Sequence, residues 1–300
     1  MISNFDQIVS QLKNRPPQTI AVAWGHFEEV LSALKQAQDE GIAKTIIYGL
    51  PDEAKDLIKK LDMDLNSNEV VHAGNEKDAA RMAVAAVQKG KAGVLMKGLC
   101  STAVLLKAVL NKDNGLRGRG ILSHIGIFQV ASYHKLIILS DPAMNISPTL
   151  EDKVGIINNA VYAAHQLGIE KPRVAVITAV EKVTPGKMPA TEDAALLTMM
   201  NRRNQIRGCI VDGPLALDLA FSKEACQIKG LDTEVGGDTD IAILPDINTG
   251  NVFYKSMSLF ADARLAGLLL GATAPIVLTS RSDSEDSKFL SIAMALRISV

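Results

Sequence analysis

Short apolar runs alternate with helix-patterned segments along most of this chain, and that alternation narrows the fold more than any other feature. Thr19–Trp24 (TIAVAW), Lys44–Tyr48 (KTIIY), Glu69–His72 (EVVH) and Gly93–Met96 (GVLM) are four such runs in the first third. Helical patterns separate them: one running to about Asp39, then Pro51 to about Leu61, about Glu76 to Gln88, and Ser101 to Asn111. The runs are rich in β-branched and aliphatic residues, as strands covered on both faces are. The pattern predicts βαβ units around a buried parallel sheet.

The pattern breaks at Gly120. ILSHIGIFQV and KLIILSD are extended stretches joined by the short polar link Ala131–His134, which leaves no room for a helix, and Asp141-Pro142 stops the run. They read as a hairpin-like pair. Alternation then resumes, with helices at Leu150–Leu167 and Glu192–Arg203, strands at Arg173–Thr178, Cys209–Asp212 and Ile241–Leu244, one long helix over Gly250–Leu270, a strand at Pro275–Thr279 and a last helix at Glu285–Leu296. Two α/β halves joined by an extended hairpin is the simplest architecture, and clefts between such halves are where ligands usually bind.

Composition excludes several classes. Hydrophobic residues are 47% of the 300, enough apolar surface to rule out global disorder. The 32 basic and 33 acidic residues nearly cancel, and only 4% are aromatic, so neither a phosphate-backbone grip nor a base-stacking platform is supplied. Cys100, Cys209 and Cys226 stand far apart and the five His are scattered, which argues against a disulfide framework and structural zinc. Apolar stretches reach only about ten residues, short of the roughly 20 that span a bilayer. The polar start MISNFDQIVSQLKNRPP lacks the apolar run of a signal peptide, so the cytoplasm is the expected compartment.

Four segments could carry chemistry. In VLTSRSDSEDS (277–287) a strand ends, a polar loop follows and a helix begins near Ser284. Ser280 and Arg281 stand at the C-terminal end of that strand, where α/β sheets place ligands, and Arg281 offers a fork of donors for phosphate oxygens. Asp283, Glu285 and Asp286 could supply a base, or simply cap the helix. Lys97-Gly98 followed by Ser101-Thr102 repeats the strand-to-helix pattern, either as an anion seat or as a surface lysine beside a cap. GLRGRG (115–120) could meet phosphates but reads better as a solvated loop, and the dinucleotide and Walker patterns are absent. PDINTGNVFYK (245–255) could point Asn251 and Lys255 into a cleft. Asp238 and Asp240 could bind a hard cation, but sit more readily on a solvated turn. Cys100 reads as buried rather than nucleophilic, and His124 as a satisfied hydrogen-bonder.

Taken in order, LMKGLCSTAVLLKAVL (95–110), DPAMNISPTLEDK (141–153), VDGPLALDLA (211–220), PDINTGNVFYK (245–255) and LTSRSDS (278–284) resemble the phosphate acetyl/butyryltransferase family, over nearly the whole chain. The short length and the SRSDSED form are most like its butyryltransferase branch. The resemblance implies two α/β/α domains of the isocitrate/isopropylmalate dehydrogenase-like type with an interdomain cleft. The first domain would be 1–134 plus 262–300, completed by the C-terminal segment, and the second 135–261.

The implied reaction is butanoyl-CoA + phosphate = CoA + butanoyl phosphate, through a ternary complex with no metal and no cofactor beyond coenzyme A as substrate. Acetyl-CoA is the alternative acyl donor. By the resemblance, Ser280 and Arg281 hold phosphate. The general-base aspartate of the acetyltransferases, six residues past that arginine, falls on Ser287 here. Asp286 takes the role after a one-residue shift, with Glu285 and Asp283 behind it. Lys97, Ser101, Thr102, Asn251 and Lys255 become substrate-binding candidates. The implied partners are acyl-CoA and inorganic phosphate, with no nucleic acid and no membrane, in a homo-oligomer built on dimers. Two rivals remain: a metal- and nicotinamide-dependent dehydrogenase of the same fold, for which no aspartate cluster can be assembled, and a non-catalytic acyl-CoA sensor.

Overall fold

The computed structural model describes residues 2–118, 120–279 and 283–299. In chain order the elements are α1 (Phe5–Lys13), β1 (Gln18–Ala23), α2 (Glu28–Asp39), β2 (Ala43–Gly49), α3 (Pro51–Lys60), β3 (Asn68–His72), α4 (Glu76–Gln88), β4 (Val94–Lys97), α5 (Thr102–Val109), β5 (Ser123–Gln129) and β6 (Ile137–Ser140). There follow α6 (Leu150–Gln166), β7 (Arg173–Ile177), α7 (Pro189–Arg202), β8 (Ile210–Leu215), α8 (Leu217–Phe221), α9 (Lys223–Lys229), β9 (Ile241–Ile243), α10 (Ile247–Phe260), β10 (Arg264–Leu270), β11 (Ile276–Val277) and α11 (Glu285–Ile298). The α/β alternation read from the sequence is the architecture.

The chain divides into two compact units. One comprises Phe5–Gly120 with Leu265–Val300, the other Met1–Asn4 with Ile121–Arg264. In the first unit the strand order is β3-β2-β1-β4-β11-β10. The first five run parallel, and β10 turns back antiparallel along β11. Ile20, Val22, Ile47, Leu95 and Val277 are fully buried, because helices cover both faces of such a sheet. α11 packs against α1 and α2, and every residue from Ser287 to Leu296 is buried. A helix apolar on nearly all sides belongs in an interior.

In the middle unit the order is β5-β6-β9-β7-β8. β5 pairs antiparallel with β6, and the other pairs are parallel. The hairpin read from the sequence is therefore present. It also moves the expected domain edge from 134 to 120/121, since the β5–β6 ladder ties both strands to this unit.

The expected helix over Gly250–Leu270 is wrong. α10 ends at Phe260, Asp262 adopts a left-handed φ of 47°, and β10 follows. β10 is buried along almost its whole length, so its RLAGLLL run shows no period-2 alternation and passes for helix. α1 was not foreseen, yet it buries Phe5, Ile8 and Leu12 on one face.

Two further expectations change. Asp238 and Asp240 form no solvated turn: Lys135 Nζ lies 2.6 Å from Asp240 and 3.0 Å from Asp238, and Arg173 pairs with Asp238 at 2.5 Å. GLRGRG is not simply a solvated loop: Leu116 is buried, and Arg117 bridges to Ala272. Among the described residues no helix is long and apolar enough to cross a membrane.

Candidate active site

From β1 the first unit's chain moves outward through β2 to β3, then returns to place β4 on the other side of β1. This reversal opens a crevice at the C-terminal ends of β1 and β4, the position where open α/β sheets bind ligands. Ala23 is in register with Lys97, and Val277 with Met96, so three strands end at one level. A cavity of about 470 Å³ lies there. Phe27, Val30, Met96 and Leu99 supply an apolar wall, and Lys97, Gly98, Thr279, Lys288 and Glu29 the remainder.

Backbone approach sets the shape of this crevice. Gly98 N–H donates to the Ala23 carbonyl at 2.9 Å, and Leu99 N–H to the Trp24 carbonyl at 3.0 Å. Trp24 itself adopts a left-handed φ of 60°. Next to it the buried His26 accepts at Nδ1 from Leu50 N–H, at 3.4 Å, linking the loops after β1 and β2. Burial holds the His26 imidazole below its ordinary pKa, against the opposing pull of Glu53.

Lys97 Nζ donates to the Gly98 carbonyl at 3.0 Å and lines the cavity. Ser101 and Thr102 are not among the lining residues. Ser101 is the N-cap of α5: its hydroxyl accepts from Val104 N–H at 3.2 Å, and its own N–H donates to Glu76 Oε2 at 2.8 Å. Thr102 is the exposed first residue of that helix. Cys100 is buried, which pushes its thiol up to about 11 and makes a thiolate nucleophile unfavourable.

Thr279 brings the segment after β11 into the same cavity. Ser280 and Arg281 lie outside the described residues. The helix that follows starts as read from the sequence. Ser284 is the N-cap of α11, its hydroxyl accepting from Ser287 N–H at 3.1 Å. Glu285 and Asp286 occupy the first turn, where the helix dipole favours carboxylates. Ser287, the position matching the acetyltransferase base, is buried, and its hydroxyl meets that of Ser284 at 2.9 Å.

Sequence reasoning missed Lys288. It lines the cavity while 8% exposed, and its Nζ donates to the Asp283 carbonyl at 2.9 Å. The available signal was a lone cation entering the otherwise apolar SKFLSIAMAL run.

Asn251 and Lys255 belong to the middle unit. Asp246 caps α10, accepting from Asn248 and Thr249 N–H. One face of this helix rests on the loop after β6 and on β5: Asn251 Nδ2 donates to the Pro142 carbonyl at 3.3 Å, and Tyr254 meets His124 and Phe128 of β5 edge-on. Lys255 Nζ lies 5.7 Å from the Tyr254 ring centroid. The Asp141 carboxylate rigidifies that loop by accepting from the N–H groups of His124, Ala143 and Met144 and from Asn145 Nδ2. The opposite face of α10, with Thr249, Val252, Phe253 and Ser256, lines an apolar cavity of about 710 Å³. The candidates thus fall into two groups: Lys97 shares a cavity with Thr279 and Lys288, while Asn251 and Lys255 stand on α10 of the other unit.

Comparisons with known proteins agree in family. A family profile described as Phosphate acetyl/butaryl transferase matches residues 54–296. The phosphate butyryltransferase of Clostridium acetobutylicum is 46% identical over 295 residues, covering 98% of this chain and 98% of that one. A solved branched-chain phosphotransacylase from Enterococcus faecalis V583 superposes with a TM-score of 0.83 at 36% identity, over 94% of this chain and 99% of that one. A solved 4-hydroxythreonine-4-phosphate dehydrogenase from Klebsiella pneumoniae superposes at a TM-score of 0.59 with 13% identity, over 94% and 100%, a likeness of fold alone.

Proposed function

Because the chain belongs to the phosphate acetyl/butyryltransferase family, we propose that it moves a butyryl group between coenzyme A and inorganic phosphate. The observation that carries this reading is the crevice at the ends of β1, β4 and β11. It joins an apolar wall to lysines, and the segment leading to Ser280 and Arg281 enters it at Thr279. An acyl phosphate has the same two characters, an apolar chain and a dianionic head. The likeness to the dehydrogenase supports assigning both units to the isocitrate/isopropylmalate dehydrogenase-like type.

In the acyl-phosphate-forming direction a phosphate oxygen attacks the thioester carbonyl, and the coenzyme A thiolate leaves. In reverse a base removes the thiol proton, and the thiolate attacks the acyl phosphate carbonyl. Arg281 and Ser280 hold phosphate and offset charge that shifts among its oxygens. Asp286 is the proposed base, and a positioned carboxylate contributes a factor of about 10²–10⁴. Lys97 adds positive charge to the seat. Ser101, Thr102, Asn251 and Lys255 are the further substrate-binding candidates of this reading. Holding both substrates together supplies much of the rate. The reaction as proposed uses no metal and no further cofactor. Leu259 and Phe260, 72% and 85% exposed at the end of α10, support the proposed homo-oligomer, which light scattering would test.

The deciding experiment is initial rates of coenzyme A release with acetyl-, propionyl-, butyryl- and isobutyryl-CoA, with and without phosphate. Butyryl-CoA should exceed acetyl-CoA in kcat/KM by roughly tenfold or more, since two buried methylenes are worth on the order of 1.5 kcal/mol. Equal or reversed rates would assign acetyl transfer instead. No phosphate dependence would remove the reading. Dependence on a divalent ion and a nicotinamide would move the chain to the dehydrogenase rival.

A further inference from the structure

We propose that Lys288 is a phosphate-binding residue of this site, its ammonium group facing the phosphoryl head of the acyl phosphate within the cavity it shares with Lys97 and Thr279. The proposal rests on the acyltransferase reading above and adds a residue to it.

Three lysines are buried among the described residues: Lys135, Lys153 and Lys288. Two are neutralised in the usual way. Lys135 pairs with Asp240 at 2.6 Å, and Lys153 with Asp193 at 2.6 Å. Lys288 differs, for no carboxylate of the described residues comes within the 4.0 Å of an ion pair. The Asp283 carbonyl accepts one of its protons at 2.9 Å. An ammonium carries three donors and a full charge, and burying it without a counter-ion is costly. A free lysine stem has ready means to escape to water. α11 instead holds this one in the wall of a cavity that Lys97 also lines.

An anion in the cavity resolves the imbalance. Phosphate suits it better than a carboxylate, because it carries up to two charges, and lysine binds phosphate as a point charge. The site also lies one turn into α11, where the helix dipole favours negative charge. Among the described residues Glu29 is the one carboxylate lining the cavity, and it is exposed. The residue that matches the acetyltransferase base is Ser287, so this chain places a cation one residue after the position where the acetyltransferases place an anion.

The test uses Lys288→Gln, Lys288→Met and Lys288→Arg in the full chain, with phosphate varied at fixed butyryl-CoA. Lys288→Gln should raise the phosphate KM roughly tenfold or more, in line with loss of a charge-assisted hydrogen bond, while the butyryl-CoA KM moves less than twofold. Lys288→Met should do the same, and Lys288→Arg should recover part. Inorganic phosphate should raise the Tm of the unaltered protein, and that rise should shrink in Lys288→Gln. A purely structural lysine tying down Asp283 predicts otherwise: the glutamine amide can still donate to that carbonyl, so the phosphate KM would stay unchanged. That result overturns the proposal, even if Lys288→Met fails to fold. If the unaltered protein releases no coenzyme A in response to phosphate, the acyltransferase reading fails by itself. The Tm shift with inorganic phosphate then still reports on Lys288, and its persistence in Lys288→Gln would overturn the anion seat.

Discussion

A Cβ placed on Gly98 would lie 2.1 Å from the Trp24 carbonyl oxygen and 2.6 Å from its carbonyl carbon. The loop leaving β4 thus rests directly on the backbone of the loop leaving β1, at the crevice where the strand order reverses. Both obstructing atoms are backbone, so no side chain can swing aside. Gly98→Ala should cost about 1–3 kcal/mol in stability, as overpacking does. It should also lower turnover, because it separates Phe27 from Lys97 across the cavity. Thermal melts beside kcat/KM for butyryl-CoA check both, and an unchanged Tm would contradict the close approach.

Arg281→Ala should raise the phosphate KM and lower kcat, since charge on the transferring oxygens changes in the transition state. Loss of a charge-assisted pair is worth about 1.5–3 kcal/mol. Arg281→Lys keeps the charge without the fork and should recover only part of the activity. Steady-state kinetics at varied phosphate, run beside melts, separates this from a structural arginine, which would lower Tm and leave the kinetics normal.

For the base, Asp286→Asn should reduce kcat about 10²–10⁴-fold in both directions with little effect on the phosphate KM. Glu285→Gln and Asp283→Asn should be milder. Asp286 also stands in the first turn of α11, so a purely helix-stabilising role would cost only a few tenths to about 1 kcal/mol and leave kcat alone. Should Glu285→Gln prove the severe change, the base moves there.

The middle unit offers a test away from the site. Lys135 is the partner of the buried Asp240, so Lys135→Met should destabilise by about 3–5 kcal/mol, leaving a buried carboxylate uncompensated. Burial alone would raise the pKa of neighbouring Asp238. Its hydrogen bonds and ion pairs with Lys135, Arg173 and His134 outweigh that and hold it below the ordinary carboxylate value. A depressed folded-state pKa stabilises above the unfolded value and is lost as pH falls through the folded one. The Tm gap between the unaltered protein and Asp238→Asn should therefore persist at neutral pH and close below about pH 4.

Local pattern carried most of the elements. Strand runs such as TIAVAW and GVLM, and caps such as Ser284, are set by side chains within a few residues of each other, so they are legible without the fold. The chemistry-bearing segments were legible for a related reason: strand ends followed by polar helix starts are local signals, and Lys97 and Thr279 do meet at one cavity. β10 was misread because its residues are buried by partners far away in the chain, and such burial erases the alternation that marks a strand. Asp238 looked solvated because its cations, Lys135 and Arg173, come from far away in the chain, the β5–β6 link and β7.

The sequence by itself determined the α/β class, the hairpin at residues 121–140, the family, and which segments could hold an anion. Only the tertiary structure decided that Lys288 is buried and without a carboxylate partner among the described residues, and that Gly98 must be glycine. The reason is physical. Helix and strand propensity, capping and turn chemistry act between near neighbours, whereas desolvation and steric exclusion depend on atoms that only chain folding brings together. Lys288 and Lys97 are 191 positions apart in sequence, and β4, β11 and α11 have to assemble before either lysine has a cavity to face.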